Sequence, residues 1–230
     1  MYAGCGGWTK ACHSCGLKVG PLIDNEYGKG RWDLLSAKWR RLLWAVMVVC
    51  KPTWIHSGFP CTFWVLMAHL TCRLTSARKE IKRMEALVHV VLTLQLAMWQ
   101  HQHNLIMSFE NPPGAQSWSL DIVLQTMRIT GMKQVYFDSC AWGHHDPVSM
   151  KPYLKPQCIA ASVDLSPLER RCSCPGGRKA GVHERIEGNT KVPGVLGRRS
   201  SIPRTVLSEQ YPSALCHAWA RLVYEHVRQS

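Results

Sequence analysis

A cysteine that follows a proline at the end of a short apolar run is well placed to act as a nucleophile. In Trp54-Ile-His-Ser-Gly-Phe-Pro-Cys61 the run stops at Gly58 and Pro60, so a strand ending there delivers Cys61 to its carboxyl end, the edge where α/β sheets bind ligands. A free thiol has a pKa of about 8.5, and a useful thiolate fraction at neutral pH needs nearby positive charge or a helix amino terminus. The turn after Pro60, leading into Phe63 and Trp64, can supply such an end. A second apolar run, Leu105 to Phe109, delivers Glu110-Asn111-Pro112 in the same manner, and burial beside Phe109 and Pro112 would help that carboxyl hold a proton. Ahead of both stands the glycine turn Gly4-Cys-Gly-Gly7, followed by Asp24 at the end of an apolar stretch. Glycines let a backbone approach a cofactor closely, and an acid so placed can accept hydrogen bonds from ribose hydroxyls.

The elements that must hold these loops follow from periodicity. Trp8 to Cys15 reads as a helix capped by Gly16, and Val19 to Ile23 as a strand ending at Asp24. Trp39, Leu42, Leu43, Val46, Met47 and Cys50 recur at the spacing of one helix face, and Lys51-Pro52 ends that helix before the strand at 54–57. A long helix is expected from Ser76 to about Gln102 with Ile81, Met84, Val88, Val91, Leu92 and Trp99 on its core side. Leu105 to Phe109 is a strand, Trp118 to Thr130 a helix stopped by Gly131, Gln134 to Phe137 a strand ending at Asp138, and Tyr153 to Ser162 one more strand. This alternation predicts an α/β chain with a doubly wound, mostly parallel sheet. Pro167 to Arg204 is rich in Gly, Pro and Arg and is expected to be loops, and Tyr211-Pro212 opens a closing helix with Leu215, Trp219, Leu222, Val223 and Val227 on its apolar side. The expected organisation is a catalytic domain over 1–165, a basic loop region over 166–206, and a helix over 207–230 that packs back on the domain.

With 230 residues, 46% of them hydrophobic, the chain can fill a core, and disorder is not the default. A formal net charge of +13 favours a polyanionic partner, with nucleic acid leading, and places the backbone contacts at Arg170, Arg171, Arg178, Lys179, Arg198 and Arg199. Eleven cysteines, an odd number, several within apolar segments, read as free thiols of a reducing compartment, the nucleus or the cytoplasm. No signal peptide is visible, and the uncharged run from Ala86 to Phe109 reads as a buried helix and not as a membrane span. A zinc site would draw on Cys158, Cys172, Cys174 and His183, with Cys140, His144 and His145 as further candidates. Cys-x-Cys lacks the two-residue gap usual in such sites and no second pair follows, so the chain is read without a metal.

Taken in order, these motifs resemble the cytosine-C5 DNA methyltransferase family, within the Rossmann-like, S-adenosylmethionine-dependent methyltransferases. Tyr2-Ala-Gly-Cys-Gly-Gly7 resembles the family's Phe-x-Gly-x-Gly cofactor loop, Asp24 its ribose-binding acid and Asp33 its adenine-contacting acid. Gly58-Phe-Pro60-Cys61 resembles the Pro-Cys loop that bears the nucleophile, and Glu110-Asn111 the Glu-Asn motif that grips the target base. The closing half, with Cys172-Ser-Cys-Pro-Gly-Gly177, His183-Glu184, Glu187-Gly188 and Glu209-Gln-Tyr-Pro212, looks like divergent methylase-like reading frames of algal and retroelement type. The resemblance implies S-adenosylmethionine as cofactor, DNA as partner, Cys61, Glu110 and Asn111 as catalytic residues, and Tyr2, Gly4, Gly6, Gly7, Asp24, Asp33 and Pro60 as cofactor contacts. This chain has Pro-Cys-Thr and Glu-Asn-Pro where typical members have Pro-Cys-Gln and Glu-Asn-Val, and it lacks their Gln-x-Arg-x-Arg motif, with Lys151 and Lys155 as positional stand-ins. The alternative expectation is a catalytically inactive methylase-like module that binds nucleic acid and is stabilised by zinc.

Overall fold

The computed structural model of the chain describes residues 6–24, 32–65, 75–178, 181–186, 189–193 and 199–229. Along them run helices α1 (Gly7–Ser14) and α2 (Ala37–Cys50), strand β1 (Trp54–Ser57), helix α3 (Ser76–Gln102), strand β2 (Ile106–Asn111), helix α4 (Asp121–Thr130), and strands β3 (Lys133–Asp138) and β4 (Pro156–Ala161). Strands β5 (Asn189–Pro193) and β6 (Arg199–Pro203) and helices α5 (Arg204–Glu209) and α6 (Ser213–Gln229) follow. The main sheet has the order β1-β2-β4-β3, with β1 parallel to β2 and β2 antiparallel to β4. The chain is therefore α/β with a mixed sheet. The expected run of parallel strands stops at β4, which pairs antiparallel with β2, and the connection from β3 carries a 3-10 turn (Ser139–Trp142) and no crossover helix.

The chain divides into two compact units, one formed by residues 1–3, 20–135 and 158–166, the other by 4–19, 136–157 and 167–230. In the first, α2, α3 and α4 gather around β1 and β2, with Leu43, Met47, Phe59, Trp64, Val90, Leu96, Met107 and Phe109 in the core. Lys51, in a left-handed conformation at φ 40, ends α2, and Gly131, at φ 66, ends α4. Helix α3 buries Ala86, Val90, Thr93, Leu94, Ala97 and Gln100, whereas Ile81 and Met84 are 58% and 55% exposed. Of the face predicted from apolar spacing, Leu92 is buried and Trp99 packs on the core, while its amino-terminal members are exposed. Apolar residues surround this helix on all sides past Ala86, and two polar residues decide its orientation. Thr93 bonds Ser57 across the β1 interface (Oγ1 to Oγ, 2.8 Å), and Gln100 donates its amide to the carbonyls of Pro52 (3.0 Å) and Ile106 (2.7 Å), fixing where both strands begin.

In the second unit α1 packs on α6: Trp8 and Trp219 rings lie 4.7 Å apart, with Ala11, Cys12, Cys216 and Ala220 buried between the helices. That pairing accounts for a departure from the expected strand-turn-helix-strand unit. The stretch 17–24 forms no strand, and Val19 is 39% exposed. A second departure is the β5–β6 antiparallel pair inside the segment expected to be loops. Thr190, in β5, is buried and bonds the Asp146 carboxylate at 3.4 Å, which gives this otherwise polar strand an anchor. Among the described residues no helix is long and apolar enough to cross a membrane.

Candidate functional site

Two groups of chemically capable side chains stand out, one in each unit. In the first unit the register Ser57↔Phe109 of the parallel pair β1–β2 sends both strands out at the same edge. Past that edge Cys61 sits half-buried in a turn closed by Trp64 N–H donating to the Cys61 carbonyl at 2.8 Å. Pro60, beside it, is exposed. Glu110 lies near the end of β2, opposite Ile159 of β4, and is half-buried. Asn111 is fully buried opposite Cys158, and its Nδ2 donates to the Phe59 carbonyl at 3.2 Å. A second tie, Gln116 N–H to the Trp64 carbonyl at 2.7 Å, joins the two loops again, while Phe109 packs between Phe59 (6.1 Å) and Trp118 (5.4 Å). The Cys61 loop and the Glu110-Asn111 strand end are therefore built as one body.

The cofactor residues expected from sequence are dispersed. Tyr2 and Gly4 lie outside the described residues. Gly6, at φ 68, is the N-cap of α1 and Gly7 its first residue, and no side chain caps that helix start. Asp24 is half-buried in an irregular stretch of the other unit, and Asp33 uses its Oδ1 to accept the Leu35 N–H at 3.1 Å in the turn before α2. A groove of about 590 Å³ lined by Trp44, Val91, Leu94, Met98, Trp99 and Ile122 includes none of these positions.

The second group lies wholly in the second unit. Cys140, Cys172, Cys174 and His183 bring their ligand atoms within 4.8 Å of one another, and Cys172 Sγ stands 3.4 Å from His183 Nε2. Cys140 comes from the 3-10 turn directly after β3. Cys172 is set by its backbone N–H donating to the Asp138 carboxylate at 2.8 Å, and Asp138 N–H donates in turn to the Arg170 carbonyl, also at 2.8 Å. Arg178 closes the arrangement with a 2.6 Å ion pair to the buried Asp138. The chain then reverses at Pro175-Gly-Gly177, where Gly176 and Gly177 have φ of 86 and 67, and a Cβ on Gly176 would lie 2.9 Å from Val182. The turn returns His183 to the sulfurs, and its neighbour Glu184 is held by a bridge to Tyr153.

Burial pushes the Cys140 thiol up to about 12, with Cys172 and Cys174 adding to the effect, and burial followed by Cys172 raises Cys174 as well. Three thiols beside an imidazole become, on losing their protons, a soft-metal donor set. Cys158, expected among the ligands, is instead buried in β4, and Cys140 takes the fourth place. Cys140 follows Asp138 at the end of an expected strand, a loop position, whereas Cys158 lies inside an apolar strand. His144 points its Nε2 at the Leu207 carbonyl (3.2 Å) and His145 its Nδ1 at the Gly143 carbonyl (2.7 Å), so neither joins the cluster. The nine described cysteines are all thiols, with no disulfide among them.

No family model, curated protein or solved structure matches this chain. The site must be read from its own geometry.

Three basic residues expected to face nucleic acid surround the Cys/His cluster. Arg170 is exposed with its guanidinium stacked 3.8 Å over Trp142, Arg171 lies 5.1 Å from Tyr136, and Arg178 is half-exposed on Asp138. Lys179 and Arg198 lie outside the described residues, and Arg199 opens β6.

Proposed function

We propose that this chain transfers a methyl group from S-adenosylmethionine to C5 of cytosine in DNA, on a doubly wound methyltransferase-like scaffold. One observation carries the reading: the loop of Pro60-Cys61 and the strand end of Glu110-Asn111 leave adjacent parallel strands at one edge and are tied by the Asn111–Phe59 hydrogen bond. In this reading the Cys61 thiolate adds to C6 of an extruded cytosine, forming the S–C6 bond and moving electron density to C5. Glu110 shares a proton with N3 and so holds the charge that develops in the ring. After transfer, loss of the C5 proton to solvent base expels Cys61 as thiolate and restores the ring. Extrusion costs roughly a few kcal/mol, which contacts to the DNA backbone would offset. Asn111, buried and bonded to Phe59, acts as a positioning residue for the Cys61 loop.

The glycine turn keeps one trait of a cofactor loop: α1 starts at Gly6-Gly7 with no side-chain cap. S-adenosylmethionine supplies the methyl group when bound, and within the first unit Asp24, Asp33 and Pro60 are the residues this reading gives it. The test is methyl incorporation into duplex DNA together with calorimetric titration of the cofactor. Wild type is expected to yield 5-methylcytosine, and Cys61→Ser to bind cofactor without transfer. Full activity in Cys61→Ser, or a product methylated at an amino group, contradicts the mechanism.

A second reading is favoured by a different observation: the stretch 17–24 forms no strand that would end at Asp24. It is a nucleic-acid-binding module descended from such an enzyme, using Arg170, Arg171 and Arg178. It predicts DNA affinity that falls steeply with salt and no heat of cofactor binding.

A further inference from the structure

We propose that Cys140, Cys172, Cys174 and His183 form a structural zinc site that clamps the arginine-bearing loop to the end of β3. This inference does not depend on methyl transfer. The geometry comes close to what the metal requires. Zn–S bonds of about 2.3 Å and Zn–N bonds of about 2.0 Å at tetrahedral angles place sulfurs about 3.8 Å apart and sulfur and nitrogen about 3.5 Å apart. Cys172 Sγ and His183 Nε2 are already at 3.4 Å, and no pair in the set exceeds 4.8 Å, so closure needs side-chain movements of about 1 Å or less. The Cys-x-Cys spacing, which argues against a site when read alone, works here because Cys140 arrives from another part of the chain.

The backbone around the set is fixed independently of any ion. The Asp138 carboxylate holds Cys172 through its N–H, Gly177 N–H closes the turn on the Cys174 carbonyl at 2.8 Å, and Glu184 N–H pairs with the Pro152 carbonyl at 2.9 Å beside His183. Binding would release three thiol protons to solvent and leave Zn²⁺ with three thiolates and one neutral imidazole, a net charge of −1. Arg178, already 2.6 Å from Asp138, is the nearby cation that this charge and the Asp138 carboxylate both favour. Four protein ligands leave no position for water, so the metal stabilises and does not catalyse. Its effect is to pin residues 170–178 and His183, and with them Arg170, Arg171 and Arg178, to the turn after β3.

The test uses the full chain, purified under reductant without chelator. Elemental analysis is expected to find about one zinc per chain, and cobalt exchanged for zinc to give the visible bands of tetrahedral Co²⁺ with thiolate charge transfer. Cys140→Ala and Cys174→Ala are expected to lose the metal, and Cys158→Ala to retain it. Chelation is expected to speed tryptic cleavage after Arg171 and Arg178 severalfold. If a variant fails to fold, the cobalt spectrum of wild type still decides. Fresh reduced protein with less than about a tenth of an equivalent of zinc, a cobalt spectrum lacking thiolate charge transfer, or a Cys172–Cys174 disulfide in place of metal would each overturn the site.

Discussion

Tyr153→Phe and Asp146→Asn probe the polar network that fixes the second unit beside the Cys/His cluster. Asp146 is fully buried and accepts hydrogen bonds from the Val148 and Ser149 N–H groups (2.9 Å each), from Tyr153 Oη (2.7 Å) and from Arg204 Nε (3.3 Å). Arg204 reaches on to Glu184 at 3.4 Å, and Ser149 Oγ donates to the same carboxylate at 2.7 Å. Tyr153→Phe removes one hydroxyl bonded to a buried charge and keeps the ring, so the expected loss is about 1.5–3 kcal/mol. Asp146→Asn preserves shape but turns a donor toward Tyr153 or Arg204 and leaves Arg204 only the Glu184 carboxylate of its two ion pairs, at about 1–3 kcal/mol. Burial alone would raise the Asp146 pKa, but the bonds from Tyr153, Ser149, Val148 and Arg204 outweigh it and hold the carboxyl well below the usual range. A depressed folded pKa contributes stability that is complete above the unfolded value near 4 and is lost as pH falls through the folded one, so Asp146→Asn should flatten the acid limb below about pH 4. Urea unfolding followed by tryptophan fluorescence at pH 7 and pH 3 measures both effects. A Tyr153→Phe loss under about 0.5 kcal/mol, or an unchanged acid limb in Asp146→Asn, refutes the network argument.

Burial holds the His56 pKa well below 6.5, with Nδ1 3.1 Å from Ser108 Oγ, so folded His56 stays neutral while the unfolded chain takes up a proton. Stability should fall by up to about 1.4 kcal/mol per pH unit below pH 6.5, and His56→Phe should lessen that slope in unfolding titrations between pH 7.5 and 5.5. Asn111→Ala leaves the Phe59 carbonyl without its partner and should cost about 1–3 kcal/mol in urea unfolding. Gly176→Ala forces a side chain into the left-handed region against Val182 and should cost about 1–2 kcal/mol and weaken zinc retention, read by competition with a chromogenic chelator.

The α/β alternation was legible because strong punctuators mark its boundaries. Lys51-Pro52 and Gly131 end their helices where expected, and β1 and β2 lie where the apolar runs were read. Strand direction was not legible, since β4 has the same apolar composition in either sense and its antiparallel pairing with β2 joins residues about fifty positions apart. The face of α3 was read correctly at Leu92 and Trp99 and missed at Ile81 and Met84, because its orientation depends on Thr93 and Gln100, polar residues whose value lies in partners distant along the chain. Local sequence favoured Cys158 over Cys140 for the same reason: the relevant neighbours, Cys172 and His183, are brought to Cys140 by the Asp138 bond and the glycine turn, and neither is written in spacing.

Covalent trapping tests the central proposal most directly. Duplex DNA containing 5-fluorocytosine, incubated with the protein and S-adenosylmethionine, should give a denaturation-resistant adduct, because fluorine at C5 cannot leave as the proton does. Peptide mass spectrometry is expected to place that adduct on Cys61. No adduct, or one on another cysteine, contradicts the account.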